Sequence, residues 1–414
     1  MSNADIIGLT TQFLTPNYAR FPLAFSKGKG ARLWDFEGRE YLDFGGGIAV
    51  TSLGHAHPRI TAALAQQAQT LTHTSNLYHT ESAGRLAQTL VGLLGNGKCF
   101  FCNSGAEANE ALYKLARKWG HDSGRYEIIS THNSFHGRTL AGIAATGQEK
   151  VKKGFEPAVE GFRQVPFNDL AALEKAISEK TAAILIEAIQ GEIGIIPASP
   201  EYLLGLRKLC TERNLLLMID AIQCGVFRTG KFLSYERILE NTKSHGFLPD
   251  AVSMAKGIAN GFPIGAAWIR QPFADVLSAG SHGTTFGGTP LACSAALATL
   301  EIIREEKLDA NAHLQGDYLK KQILGLRSPH VREVRGFGLM LGVELQPDIP
   351  ALKVEGKSPA ALFASRLHEL GLLTIPSGNP VMRLLPPLNV TRAECDEAVE
   401  KLSRGLSQLS QLQH

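Results

Sequence analysis

An α/β architecture, with a largely parallel sheet held between helices, is predicted by three features of the chain. Short β-rich apolar runs alternate with amphipathic stretches whose apolar residues recur at helical spacing. Several of the runs are almost continuously apolar, as strands covered on both faces should be. The 414 residues, 44% apolar and 20% charged, can bury a large core and should form more than one lobe.

Each element has its own signal. The strand-like runs are "KCFFCN", "YEIIST", "TAAILIEAI", "NLLLMID", "AVSMA" and "GAAWIR", with amphipathic segments such as "AEANEALYKLARKWG" and "SPEYLLGLRKLCTERN" among them. Ser104 with Glu107, and Thr391 with Glu394, have the spacing of capping boxes; Ser199 before Pro200 marks a helix start. After "PLACSAALATLEIIREEKLD" the pattern changes to "VREVRGFGLMLGVELQ", a Gly-punctuated strand pair, and then to helices on either side of "VMRLLPPLNV". The main boundary is therefore expected near residue 306. The expected organisation is an N-terminal segment 1–55 packing with the small domain, a large domain 56–306 and a small α+β domain 307–414. The closing "LSRGLSQLSQLQH" is expected to fray.

Charge and composition narrow the function classes. A net charge of +3 with Lys and Arg spread along the chain argues against nucleic-acid or membrane-surface partners and leaves small charged molecules. The opening "MSNADIIGLTTQFLTPNYARFP" has no basic segment leading into an apolar core, and no run approaches the roughly 20 apolar residues of a membrane span. A cytoplasmic location is expected. Six scattered cysteines suit reduced, buried thiols, and Cys99 with Cys102, a single CxxC inside an apolar run, reads as packing rather than a zinc knuckle. No metal is expected.

In parallel sheets ligands collect beyond the carboxyl ends of the strands. After "CFFC" comes Asn103-Ser104-Gly105-Ala106, opening a helix; after "ILI" comes Glu187, with Gln190 and Glu192 close behind; after "LLLMI" comes Asp220, with Gln223; after "AVSMA" comes Lys256. Each has a bland reading when taken alone. "NSGAEANE" is a capped helix or an anion site at a helix tip, Asp220 a structural ion-pair member or a functional carboxylate, and Lys256 a solvated loop residue or a reagent. Pyridoxal phosphate would use all three together, since it needs an amine for a Schiff base, a carboxylate at its ring nitrogen and a cradle for its phosphate.

"FCNSGAEANEALYKLARK", "NSFHGRTLAGIAATG", "LIEAIQGEIGI", "LMIDAIQCG", "SMAKGIANGFPIGA" and "TTFGGTPLACSAALATL" resemble, in that order, the signatures of the class III pyridoxal-phosphate-dependent aminotransferases. The likeness runs from about Tyr18 to Pro387. It implies the type I fold of such transferases, with a mostly parallel seven-stranded sheet in the large domain. Within the family, "NYARFPLAFSKGKGARLWDFEGREYLDFGGGIAVTSLGHAHP", "SNLYHTE", "VRGFGLMLGVEL" and "VMRLLPPLNVT" are most similar to members that act on acetylornithine in arginine biosynthesis.

The resemblance implies that Lys256 holds the cofactor and then carries the proton, and that Asp220 pairs with the ring nitrogen. It puts Gln223 near the ring hydroxyl and Phe135 against the ring. Ser104, Gly105 and Ala106 would cradle the phosphate, completed by Thr285 of a second subunit, which implies a homodimer with shared active sites. Arg138, Tyr18 and Thr284 would bind acetylornithine. Arg383 would grip the carboxylate of glutamate or 2-oxoglutarate, and Glu192 would either neutralise Arg383 when the other donor is bound or form a permanent salt bridge with it.

Three departures stand out: Ala221 replaces an acidic residue, Ala188 a proline and Thr289 an asparagine. Ala221 puts fine substrate preference in question. The alternatives are ornithine, succinylornithine or 4-aminobutyrate as donor. From a different class come a regulatory module that binds the cofactor and a non-catalytic paralogue.

Overall fold

Seven strands form the central sheet of the computed structural model, which describes residues 1–243, 246–378 and 380–411. Their order is Gly97–Cys102, Gly265–Arg270, Ala251–Met254, Leu216–Asp220, Thr181–Ile186, Glu127–Thr131 and Phe162–Val165. The last five are mutually parallel. Gly265–Arg270 runs antiparallel to both its neighbours, because the short link 255–264 cannot carry the crossover that a parallel return requires. Six of the seven strands lie on the runs read from sequence. Phe162–Val165 was not legible as one, because Arg163 and Gln164 interrupt its apolar character.

Side-chain alternation sorts the central strands into two cores. Ile184, Ile186, Leu217 and Ile219 join one cluster with Leu86, Leu90, Leu203, Leu206 and Ala295. Ala183, Leu185, Leu216 and Met218 join the other, with Ala111, Leu112, Leu115 and Ala116 of helix Gly105–Gly120. Each fully buried Leu or Ile contributes about 1.5–3 kcal/mol; Leu217→Ala would cost roughly 2–5 kcal/mol through the cavity it leaves.

The antiparallel strands Phe25–Lys29, Arg32–Asp35 and Glu40–Asp43 form a second sheet, which Leu372–Leu373 extends by pairing parallel to Glu40–Asp43. A third, antiparallel sheet holds Val331–Phe337, Met340–Leu345, Val381–Leu384 and Ile375–Ser377. Helices Pro290–Glu305 and Leu308–Gly325 meet at Lys307, whose backbone is left-handed at φ +52°.

The helix starts behave as their caps dictate. Ser199 Oγ accepts from Tyr202 N at 3.1 Å, and Thr391 and Glu394 exchange both bonds of a capping box. At Ser104 only half of the box forms: the Oγ accepts from Glu107 N, while the Glu107 carboxylate accepts from Asn103 N instead of Ser104 N. The C-terminal segment does not fray as expected. It is helical through Gln411, with Leu402, Leu406 and Leu409 buried; residues 412–414 lie outside the described residues. All six cysteines are free, and burial pushes the Cys99 and Cys102 thiols up to about 12. Among the described residues no helix is long and apolar enough to cross a membrane, and no acidic, His or Cys cluster has metal-site geometry.

Candidate active site

The carboxyl ends of the strands open on a cavity of about 380 Å3, lined by Ser104, Gly105, Ala106, Phe135, Arg138, Asp220, Gln223 and Lys256 together with Val50, Glu187 and Phe262. Ligand cavities commonly span about 300–1,000 Å3. Asp220 and Lys256 reach it because their strands pair in parallel, Asp220 opposite Ser253, so the next turn delivers the lysine beside the carboxylate.

Lys256 starts a tight turn, Lys256–Ala259, at φ +49°. A left-handed backbone at a non-glycine residue costs about 1–3 kcal/mol and persists only where its surroundings hold it. They do so through Asn260, which accepts from Leu53 N at 2.7 Å and donates to Gly54 O at 3.0 Å. The side chain is half-buried and makes no hydrogen bond or ion pair among the described residues. Burial lowers its pKa, as does Arg383, while Glu192, Asp220 and Glu187 oppose the shift. A depressed pKa favours the nucleophilic amine.

Asp220 is 3% exposed and fixed from three sides. Its Oδ2 accepts from Asn109 Nδ2 and from His136 Nδ1, both at 2.8 Å, and its Oδ1 accepts from Ile222 N at 3.1 Å. Asn109 is itself anchored, accepting from Ser253 Oγ at 2.6 Å and donating to His136 O. His136 Nε2 is buried without a partner. Glu187, 5% exposed, accepts from Phe135 N at 3.0 Å. Burial raises its pKa to about 7, with Asp220 adding to the shift and His136 opposing it.

Of two arginines near this space, Arg138 lines it, while Arg383 and its partner Glu192 lie behind the lining Gln223 and are not in the wall. Arg383 is 2% exposed, and its Nη1 donates to Glu192 Oε1 at 2.8 Å, Gln223 Oε1 at 3.0 Å and Gly191 O at 3.2 Å, while Nη2 donates to Pro376 O. Burial pushes the Glu192 carboxyl up, but the Arg383 guanidinium outweighs that and holds it below the ordinary value. Arg138 is exposed, lies 5.5 Å over the Phe135 ring and has no hydrogen bond or ion pair among the described residues.

The remaining expected residues lie apart. Thr284 Oγ1 accepts from Asn103 Nδ2 at 3.2 Å, so it sits behind a cavity-lining residue rather than in the wall. Thr285 is exposed and lines a separate cavity of about 240 Å3 with His73, Asn76, Tyr78 and His79. Tyr18 is 69% exposed, with Arg20 over its ring, and is not in the wall.

Sequence reasoning gave no role to Asn109, Glu187, His136 or Val50. Glu187 stood at a strand end, and Asn109 lies one helical turn beyond Gly105 on the same face; both signals were available.

The donor set fits pyridoxal phosphate. It offers a partnerless amine, a buried carboxylate, and a helix tip whose Gly105 and Ala106 N–H groups lack intrahelical partners. A Cβ at Gly105 would come within 2.7 Å of the Ile222 side chain, so a larger residue at the tip would have to displace Ile222, itself in the cavity wall.

A family model described as aminotransferase class-III matches residues 13–406. The chain is 42% identical over 416 residues to acetylornithine aminotransferase of Methanocaldococcus jannaschii, with 99% of this chain and 100% of that protein covered. It is 44% identical over 403 residues to acetylornithine aminotransferase of Caldanaerobacter subterraneus, covering 96% and 98%. Among solved structures it is similar to ornithine aminotransferase from Toxoplasma gondii, with a TM-score of 0.91 and 33% identity over 99% of this chain and 96% of that one. It is also similar to acetylornithine aminotransferase from Elizabethkingia anophelis, with a TM-score of 0.84 and 30% identity over 99% and 100%.

Proposed function

This chain belongs to the class-III aminotransferases, and we propose that it moves the terminal amino group of N2-acetyl-L-ornithine to 2-oxoglutarate. The products are N-acetyl-L-glutamate 5-semialdehyde and L-glutamate, as arginine biosynthesis requires. The observation that carries the reading is the free Lys256 amine facing the same cavity as the clamped Asp220 carboxylate. The family's cofactor, pyridoxal phosphate, supplies when bound an electron sink for the charge that develops at the donor carbon.

Lys256 is the residue that would hold the cofactor. Once displaced by substrate, its Nζ, kept towards the neutral form by burial, would carry the proton between the substrate carbon and the cofactor. Asp220 would pair with the ring nitrogen, Gln223 would sit by the ring hydroxyl and Phe135 against the ring, and Ser104, Gly105 and Ala106 would hold the phosphate. Arg138, with Tyr18 and Thr284, binds the distant carboxylate of acetylornithine, for which a guanidinium free at the rim is suited. Arg383 binds the carboxylate beside glutamate's reacting carbon. When acetylornithine occupies the cavity, Glu192 neutralises Arg383, a role supported by their 2.8 Å ion pair.

The assembly is a homodimer with Thr285 of each subunit completing the other's phosphate site. In support, Thr285 lies outside the Lys256 cavity, and Leu77, Tyr78 and Phe286 near it are 86%, 70% and 62% exposed. An active monomer in light scattering would overturn this. The cytoplasm is the proposed compartment, supported by six free thiols.

A panel of donors tests the substrate. Acetylornithine is expected to give the highest kcat/KM; a clear lead for ornithine, succinylornithine or 4-aminobutyrate would replace it. No loss of cofactor absorbance on adding glutamate to the reconstituted protein would favour an inert paralogue.

A further inference from the structure

Arg228 is 2% exposed, yet nothing in the reaction as described uses it. A buried cation normally keeps a carboxylate beside it. Arg228 has none within ion-pair distance among the described residues. Instead its Nη1 donates to two backbone carbonyls, Leu339 O at 3.2 Å and Pro386 O, while Nη2 has no partner. Burial alone lowers its pKa, to about 10, which leaves it charged at neutral pH.

Those carbonyls lie together at one end of the Arg383 strand's antiparallel pairing with Met340–Leu345. Leu339 opens the strand Met340–Leu345, in which Gly342 pairs with Arg383 and Leu341 with Leu384. Pro386 lies two residues beyond the end of the strand Val381–Leu384. Arg228 meets the same region through its backbone, its O accepting from Leu339 N at 3.0 Å. Gly338, at φ +52°, lies so close to Thr229 that a Cβ would come within 2.6 Å of the Thr229 carbonyl carbon. The loop carrying Arg228 begins at Asp220 and also holds Gln223, which accepts from Arg383. One loop therefore touches the Asp220 end of the central sheet and the arginine-bearing strand.

We propose that Arg228 is a positioning residue for Arg383: it clamps the strand Val381–Leu384 against the Asp220 loop and so sets where the carboxylate beside a donor's reacting carbon is held. A long buried cation suits the task because its Nη1 reaches two carbonyls with charge-assisted bonds. With no carboxylate competing for it, the charge acts through those carbonyls. This rests on the reading that Arg383 receives glutamate.

The test compares the two half-reactions of the reconstituted holoenzyme, followed by cofactor absorbance with L-glutamate or with N2-acetyl-L-ornithine, in the wild type and in Arg228→Met. The glutamate concentration for half-maximal rate should rise about tenfold, and that for acetylornithine less than twofold. Arg228→Lys, which keeps the charge on a shorter side chain, should lie between. A purely structural arginine would weaken both half-reactions alike or only lower the melting temperature, and either result overturns the proposal. Should Arg228→Met prove insoluble, Arg228→Lys and Gly338→Ala, which pushes the hairpin off the loop, carry the same comparison. A wild type that reacts with acetylornithine but not with glutamate would instead sink the reading of Arg383 and leave the fault there.

Discussion

Arg383 and Arg138 bear on one cavity differently: the first belongs to the layer behind its wall, here its floor, bonded to the lining Gln223, and the second is a lining residue that stands loose at the rim. Arg383 gives up water for four fixed acceptors, and a carboxylate arriving there meets a donor whose place is already set. That arrangement carries a desolvation cost, which Glu192 and the surrounding carbonyls offset. Arg138 keeps its hydration and its freedom, with only the Phe135 ring beneath it. A site for two donors of different length can thus place its fixed cation near the reacting carbon and its adaptable one where longer donors end.

The change that would erase this contrast is Lys256→Ala, since the proposed function has both arginines deliver their donors to one amine. Turnover with either donor should fall by at least roughly 10^2–10^4-fold, the worth of one positioned proton-transfer group. The melting temperature should change little. Assays with each donor and a thermal melt check it, and substantial turnover would remove Lys256 from its role.

Arg383→Lys separates floor from rim. A lysine keeps the charge but cannot reproduce the fork, so one or two charge-assisted bonds of roughly 1.5–3 kcal/mol each are lost. The kcat/KM for glutamate should drop about 10–100-fold, with a much smaller change for acetylornithine. Arg138→Lys should reverse the order, and about tenfold is expected because an exposed contact is worth less. Equal losses for both donors in both variants would dissolve the distinction.

The floor was far more legible in the sequence than the rim. Asp220, Glu187 and Lys256 each end an apolar run, and strand ends of a parallel sheet face the ligand whatever the loops do. What clamps them was legible only in part: helical spacing puts Asn109 on the face of Gly105, but its partner does not show. Asn109 and His136 meet Asp220 across 111 and 84 residues, and Arg228 meets Pro386 across 158. Such pairings follow from packing, which no local period encodes. The same holds for Leu372–Leu373 pairing with Glu40–Asp43. At the rim, Thr285 and Tyr18 lie outside the Lys256 cavity, and no local period in the sequence signals that.

Glu192→Gln sharpens the contrast by loosening the floor. Removing the carboxylate leaves Arg383 without its countercharge while the Gln223 and backbone bonds remain. Glutamate should then bind a few-fold more tightly and acetylornithine a few-fold less, read as opposite shifts in KM. Shifts of the same sign would make the ion pair a permanent structural one.

The smallest effect concerns Glu187, which underlies the floor through the Phe135 N–H. Burial, with Asp220 adding and His136 opposing, raises its pKa from 4.5 to about 7. Between those values the folded protein therefore binds more protons than the unfolded chain, and this group's contribution to stability is lost as the pH rises through the window. Glutamine at this position does not titrate. In the cofactor-free protein the melting temperature of Glu187→Gln, relative to wild type, should climb by about 1–4 °C from pH 5 to pH 7. The offset at any one pH also includes the altered bond to Phe135, so the slope is the quantity to measure. A flat or falling difference would mean that Glu187 carries full charge throughout the window, and that the floor tolerates a second negative group beside Asp220.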